Sequence, residues 1–211
     1  AINGALGGEF ALGGAFTTLD ADPLTQETAF ASTGGYGGAA QLVLQTSAQV
    51  VDAVDRGWYE GGGFHAPDNE NYIVGNCPSC NFDYYRNFFV FDTAGVGALV
   101  SGARLAVERR GYFGHVSGET YELFDVTTSI GALLGGTGGP AAYGDLGGGL
   151  SYGVYDVLIP GTPVLVEVPL NTAALTALNE AGSLPFAVGG ALTSLDGDPT
   201  TGEQLFTGTG V

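Results

Sequence analysis

The sequence predicts an all-β fold: a jelly-roll-like β-sandwich with one short helix and an N-terminal β-strand extension. Three observations carry that expectation. Short runs rich in Val, Phe, Tyr, Leu and Thr alternate with Gly-rich breaks. Thirty-eight glycines stand beside 45% hydrophobic residues, with no collagen period and no lasting polar tract, a composition suited to tight turns and small-residue packing. The segment "FALGGAFTTLDADPLTQE" from Phe10 returns as "FAVGGALTSLDGDPTTGE" from Phe186, and fifteen of the twenty-five positions from Phe10 to Gly34 are identical at a shift of 176.

Taken in order, the strands are expected at Phe10–Leu19, Gln41–Gln45, Ala48–Val54, Tyr84–Asp92, Leu99–Arg109, Glu119–Val126, Val154–Ile159, Val164–Val168 and Phe186–Leu195, with another near Gln204–Thr207. In "QLVLQ" Leu42 and Leu44 fall on one face and Val43 on the other. Arg104–Glu108 alternates as a half-buried strand does. The helix is "NTAALTALNEAG", with Asn171 as its N-cap, Leu175 and Leu178 as apolar positions and Gly182 as its stop. A weaker helical turn is expected over Thr127–Leu134. Many short strands with few helices give a two-sheet sandwich.

Charge excludes some partners. The chain has 22 acidic and five basic residues, a net charge of −17, and its basic residues are Arg56, Arg86, Arg104, Arg109 and Arg110. No basic patch exists to meet a phosphate backbone or an anionic lipid, so neither nucleic acid nor a membrane surface is an expected partner. No apolar run approaches the ~18 residues of a membrane span. The first residue is Ala1 and there is no Met, which is expected of a secreted chain whose leader has been removed, placing it outside the cell or on its surface. In that compartment Cys77 and Cys80, in "NCPSC", are expected to form a local disulfide. Zinc needs two further ligands, and His65 and His115 are the histidines on offer.

Catalytic signatures are missing: there is no G-x-S-x-G elbow and no triad spacing, so no enzyme activity is expected. Trp58 and Tyr59 are read either as a sugar-stacking platform or as core. No cofactor is expected beyond a structural Ca2+. Its candidate donors are Asp68 and Glu70, in an oxygen-rich loop, and Asp196 and Asp198. The last two are equally explained as Asx turns, as are their counterparts Asp20 and Asp22.

The part from Val50 to Val211 resembles a domain of secreted bacterial proteins, many of which carry a C-terminal exosortase (PEP-CTERM) sorting tail. The likeness rests on "RGWYEGGGFHAPDNENYIVG" (Arg56–Gly75), "YRNFFVFD" (Tyr85–Asp92), "YELFDVTT" (Tyr121–Thr128), "DLGGGLSYG" (Asp145–Gly153) and "LNTAALTALNEAG" with "FAVGGALTSLD" (Leu170–Asp196). It implies a jelly-roll-like domain with no known activity. No Pro-Glu-Pro signal, apolar anchor or basic end follows Val211, so anchoring by that route is not expected. "RNFFVFD" followed by "VSGARLAV" is also similar to carbohydrate-associated jelly-roll modules.

The duplication gives the functional expectation. Residues 1–46 are a strand-donor extension and 47–211 the sandwich. The apolar positions Phe186, Val188, Leu192, Leu195 and Phe206 belong to the domain's own hairpin. Their counterparts Phe10, Leu12, Phe16, Leu19 and Phe30, together with Leu42, Val43 and Leu44, are the donor residues. In the resembled family such a hairpin is commonly followed by a closing strand of the "QLVLQ" kind, so the sandwich is expected to lack its last strand and the extension to carry one. A sheet edge short of a strand accepts an extended segment through backbone hydrogen bonds. Head-to-tail donation then builds an open polymer. The expected function is a subunit of an extracellular filament, pilus-like fibre or sheath, with other copies of itself as partner. The alternative is a secreted carbohydrate-binding or adhesin-type module with polysaccharide as partner.

Overall fold

In the computed structural model, the residues described are 49–80, 83–96, 99–109, 112–113, 118–157 and 164–206. All belong to one unit, Gln49–Val211. The strands expected at Phe10–Leu19 and Gln41–Gln45 lie outside the described residues.

The fold is a lopsided all-β sandwich. Its strands are β1 (Ala53–Glu60), β2 (Val74–Cys77), β3 (Asp83–Phe91), β4 (Arg104–Arg109), β5 (Tyr112–Phe113), β6 (Glu119–Asp125), β7 (Ser151–Val157), β8 (Val164–Pro169), β9 (Phe186–Leu192) and β10 (Glu203–Leu205). The large sheet runs β5-β10-β2-β3-β9-β6-β7, with β1 also on β3, and among the described residues the small sheet is β4-β8. Every pairing is antiparallel. β1 runs along one edge of β3. Along the other, β2 takes Asp83–Tyr85 and β9 takes Asn87–Phe91.

Side-chain alternation gives the large sheet two buried faces. On one, Phe89, Tyr121, Leu123, Val188 and Leu205 pack with Leu105 and Val107 of β4, with Val166 and Val168 of β8, and with Ala174 and Leu178. On the other, Tyr59, Phe88, Val90 and Ala187 pack with Leu133, Ala142 and Leu146. The helices are α1 (Ile130–Leu134), α2 (Gly139–Asp145) and α3 (Thr172–Ala181). Among the described residues no helix is long and apolar enough to cross a membrane.

The sequence reading of α3 holds in detail: Asn171 Oδ1 accepts from Ala174 N–H at 3.1 Å, and Gly182 ends the helix at φ 59°. The turn over Thr127–Leu134 contains α1, capped by Ser129. Four expectations need correction. Among the described residues three helices stand where one helix and a helical turn are expected; the addition is α2, "GPAAYGD", which looks like a loop until Pro140 is recognised as a helix-starting residue. The strand expected at Ala48–Val54 lies instead at Ala53–Glu60, where β3 offers a partner edge. β4 starts at Arg104, not Leu99, since β8 reaches no further than Pro169 opposite it. β9 ends at Leu192, where Thr193 N–H makes its last sheet bond to Thr120, and Leu195 falls in the following turn.

Candidate functional site

The domain's own copy of the duplicated segment spans β9, the turn after it and β10. β9 is buried at all seven positions, between β3 and β6. Phe186, Val188, Leu192 and Phe206 all enter the core under the small sheet, and Leu195 packs against it. These five positions share one core, but the segment is not the hairpin the sequence suggests: β9 pairs with β3 and β6, whereas β10 pairs with β2 and β5. Their counterparts Phe10, Leu12, Phe16, Leu19 and Phe30, with Leu42, Val43 and Leu44, lie outside the described residues.

Both glycines of "FAVGGAL" are explained by what touches them. A Cβ on Gly190 would strike the Tyr121 hydroxyl and Asn87 Oδ1. One on Gly189 would meet the backbone of Leu146, 2.8 Å away on the opposite face. The strand therefore fits only a slot closed on both sides. Beyond it, Asp196 Oδ1 accepts from Asp198 N–H at 2.7 Å, and Asp198 Oδ1 accepts from Thr200 N–H at 2.8 Å. These are two successive Asx turns. Asn76 of β2 clamps them, its Nδ2 donating to the carbonyls of Asp198 (2.9 Å) and Thr201 (2.8 Å). The bonds from Thr200 hold the Asp198 carboxyl below its ordinary range.

Next to this turn lies a buried acidic cluster that sequence reasoning missed. Glu203 and Glu119 are both buried. Glu203 accepts from Asp196 N–H at 3.2 Å, and Ser194 donates to Glu119. Burial, with the nearby charges of Glu119 and Asp196, pushes the Glu203 carboxyl from 4.5 up to about 7. Glu119 and Glu203 are far apart in sequence, on β6 and β10, and the fold brings them together.

Of the Ca2+ candidates, Glu70 is ion-paired to Arg56 at 3.1 Å, while Asp196 and Asp198 are engaged by the turn just described. Among the described residues no three His, Cys, Asp or Glu are grouped to hold a metal ion. Cys77 and Cys80 form the expected disulfide, across a turn closed by Cys80 N–H to Cys77 O.

No family model matches the chain, and no curated protein matches it. Function therefore has to be argued from the residues. The two rings, read either as a sugar platform or as core, are both buried. Trp58 stands edge-on to Tyr85 with ring centroids 5.2 Å apart, and the Tyr59 hydroxyl reaches the carbonyls of Ala132 (3.0 Å) and Leu133 (2.8 Å). They act as core residues. His65 is buried too, stacked on Tyr59, with Nδ1 2.8 Å from the Trp58 carbonyl. His115 lies outside the described residues.

Proposed function

We propose that this chain is a structural subunit of an extracellular filament, pilus-like fibre or sheath, which polymerises head-to-tail as the N-terminal extension of one copy pairs with the sheet of the next. One observation carries the reading. The segment copied at Phe10–Phe30 corresponds to β9, its turn and β10, and the domain already holds its own copy, with β9 in a slot closed on both faces. The second copy keeps Gly13 and Gly14, Asp20 and Asp22, and Phe10, Leu12, Phe16, Leu19 and Phe30. It retains the chemistry of a buried segment and needs a different place to be buried. A neighbouring subunit provides one, and a head-to-tail contact of that kind repeats without closing.

The disulfide and the chain's lack of lysine fit a secreted, exposed assembly. The alternative, a sugar-binding module built on Trp58 and Tyr59, is weakened by the burial of both rings.

The test is electron microscopy and light scattering of the full chain beside a variant lacking residues 1–46. Filaments from the full chain and folded monomers from the truncation are expected. Filaments of the same form from the truncated protein would overturn the reading.

A further inference from the structure

We propose that the outer edge of β4 is the receiving edge, and that Gln41–Gln45 of a second copy pairs along it. The proposal rests on the head-to-tail reading above and assigns its socket.

The assignment comes from accounting for backbone hydrogen bonds at the sheet edges. Leu170 N–H donates to the Ala103 carbonyl at 3.0 Å, and the same register continues as Leu105 opposite Val168 and Val107 opposite Val166. Alternate residues of an antiparallel ladder turn their N–H and C=O toward the partner. Ala103, Leu105 and Val107 therefore bond β8, while Arg104, Ala106 and Glu108 turn outward. Pro169 sits opposite Arg104, at a position where the parity asks for no N–H. The Tyr72 hydroxyl donates to the Glu108 carbonyl at 2.9 Å. Arg104 and Ala106 meet no outer backbone partner among the described residues.

The outer edge of β1 is partly occupied, and that of β8 is blunted at one end. On β1, Gly61 N–H bonds the Tyr84 carbonyl at 2.9 Å, which by the same parity turns Arg56, Trp58 and Glu60 outward. Each is met locally. Arg56 N–H donates to Asp55 Oδ1 (2.7 Å), and the Trp58 carbonyl lies 2.8 Å from His65 Nδ1. Glu60 N–H donates to Phe64 O (3.0 Å), and the Glu60 carbonyl accepts from Gly63 N–H (2.8 Å). On β8, Pro169 blunts the outer edge, and Asn171 N–H bonds the Tyr152 carbonyl at 2.8 Å, drawing that end onto β7.

The occupant follows from what the edge offers. Leu105 and Val107 are buried, and Arg104, Ala106 and Glu108 are exposed. A strand added here continues the layer if it carries two apolar residues two apart, and Leu42 and Leu44 have that spacing with Val43 outward. The domain's own copy of the repeat also ends at this place: the Phe206 ring lies 5.6 Å from that of Tyr72, whose hydroxyl holds the β4 edge. In the N-terminal copy, the segment that follows the equivalent Phe30 is Gln41–Gln45.

Ala106→Pro in the full chain tests the edge. It removes an outward N–H and no bond to β8, so the sandwich is expected to melt close to the parent while pelletable polymer is lost. Polymer at the parental level from a folded Ala106→Pro protein overturns the socket. A second measurement needs no proline: full chains carrying Val43→Cys are mixed with chains carrying Ala106→Cys under mild oxidation. A disulfide-linked dimer of the two is expected, and its absence from assembled material overturns the socket. If removing residues 1–46 abolishes polymer while Ala106→Pro does not, the socket fails and strand donation stands. If the truncated chain polymerises as the parent does, both fail.

Discussion

The Tyr121 hydroxyl donates to Asn87 Oδ1 across 2.8 Å in the middle of the large sheet, and Gly190 lies against both groups. Asn87 Nδ2 donates in turn to the Tyr72 carbonyl at 2.9 Å, so the buried amide is satisfied at both ends. Burial raises the Tyr121 hydroxyl far above its ordinary range, and the bond to Asn87 only partly offsets this, so it stays protonated and donating. Tyr121→Phe leaves Asn87 Oδ1 without that donor and is expected to cost about 1–3 kcal/mol. Gly190→Ala drives a methyl into the same pair and is expected to cost about as much through overpacking. Urea unfolding of the two variants measures both, and a midpoint unchanged in Gly190→Ala contradicts the closed slot.

The disulfide at the end of β2 closes a very short loop, and Cys77 is buried with Trp58, Ile73 and Tyr85. Chain-entropy reasoning gives about 2 kcal/mol for so small a ring. Reduction is therefore expected to lower the melting temperature by several degrees without unfolding the protein at room temperature. A thermal melt with and without reductant checks it. Collapse on reduction would show that the loop holds more of the fold than its length implies.

The fold was legible where one element's pattern sufficed. Asp83–Phe91, Glu119–Asp125 and Val164–Pro169 are long apolar or alternating runs, and Asn171 and Gly182 punctuate their helix unambiguously. β2 was not legible, because "VGNC" is a strand only through its partners β3 and β10. β1 was misplaced because Arg56 and Gly57 interrupt its apolar pattern. Gly57 is there because a Cβ would strike His65 and Phe88. At the site, the duplication and its five apolar anchors could be read from the sequence. The parity of β4 and the meeting of Glu119 with Glu203 could not, since each depends on register between distant strands.

Glu203 makes the stability depend on pH. Its folded pKa, about 7, lies above the ordinary 4.5, with burial as the main cause and Glu119 and Asp196 as the charges beside it. The folded state thus holds a proton that the unfolded chain releases. The stabilising contribution is fully present below about pH 4.5 and is lost as pH rises through 7, up to about 3 kcal/mol in all. Glu203→Gln keeps the shape and cannot ionise, so it is expected to flatten stability between pH 5 and 8. Melting temperatures across that range, parent against variant, read the difference. Equal slopes would remove Glu203 as the cause.

The glycine pair gives the sharpest test of strand donation, because it appears once in a visible slot and once in the extension. Gly189 and Gly190 are required by Leu146 on one face and by Tyr121 with Asn87 on the other. Gly13 and Gly14 are their counterparts at a shift of 176. If the extension is buried in a neighbour as a similarly closed strand, a β-branched residue there blocks assembly and leaves the sandwich of its own subunit untouched. Gly14→Val is therefore expected to abolish polymer with a parental melting temperature, whereas Gly190→Val is expected to destabilise the sandwich itself. Sedimentation of assembled material together with thermal melts separates the two. Full polymerisation of Gly14→Val would mean that the extension's glycines face open space, and that the repeat serves something other than burial in the next subunit.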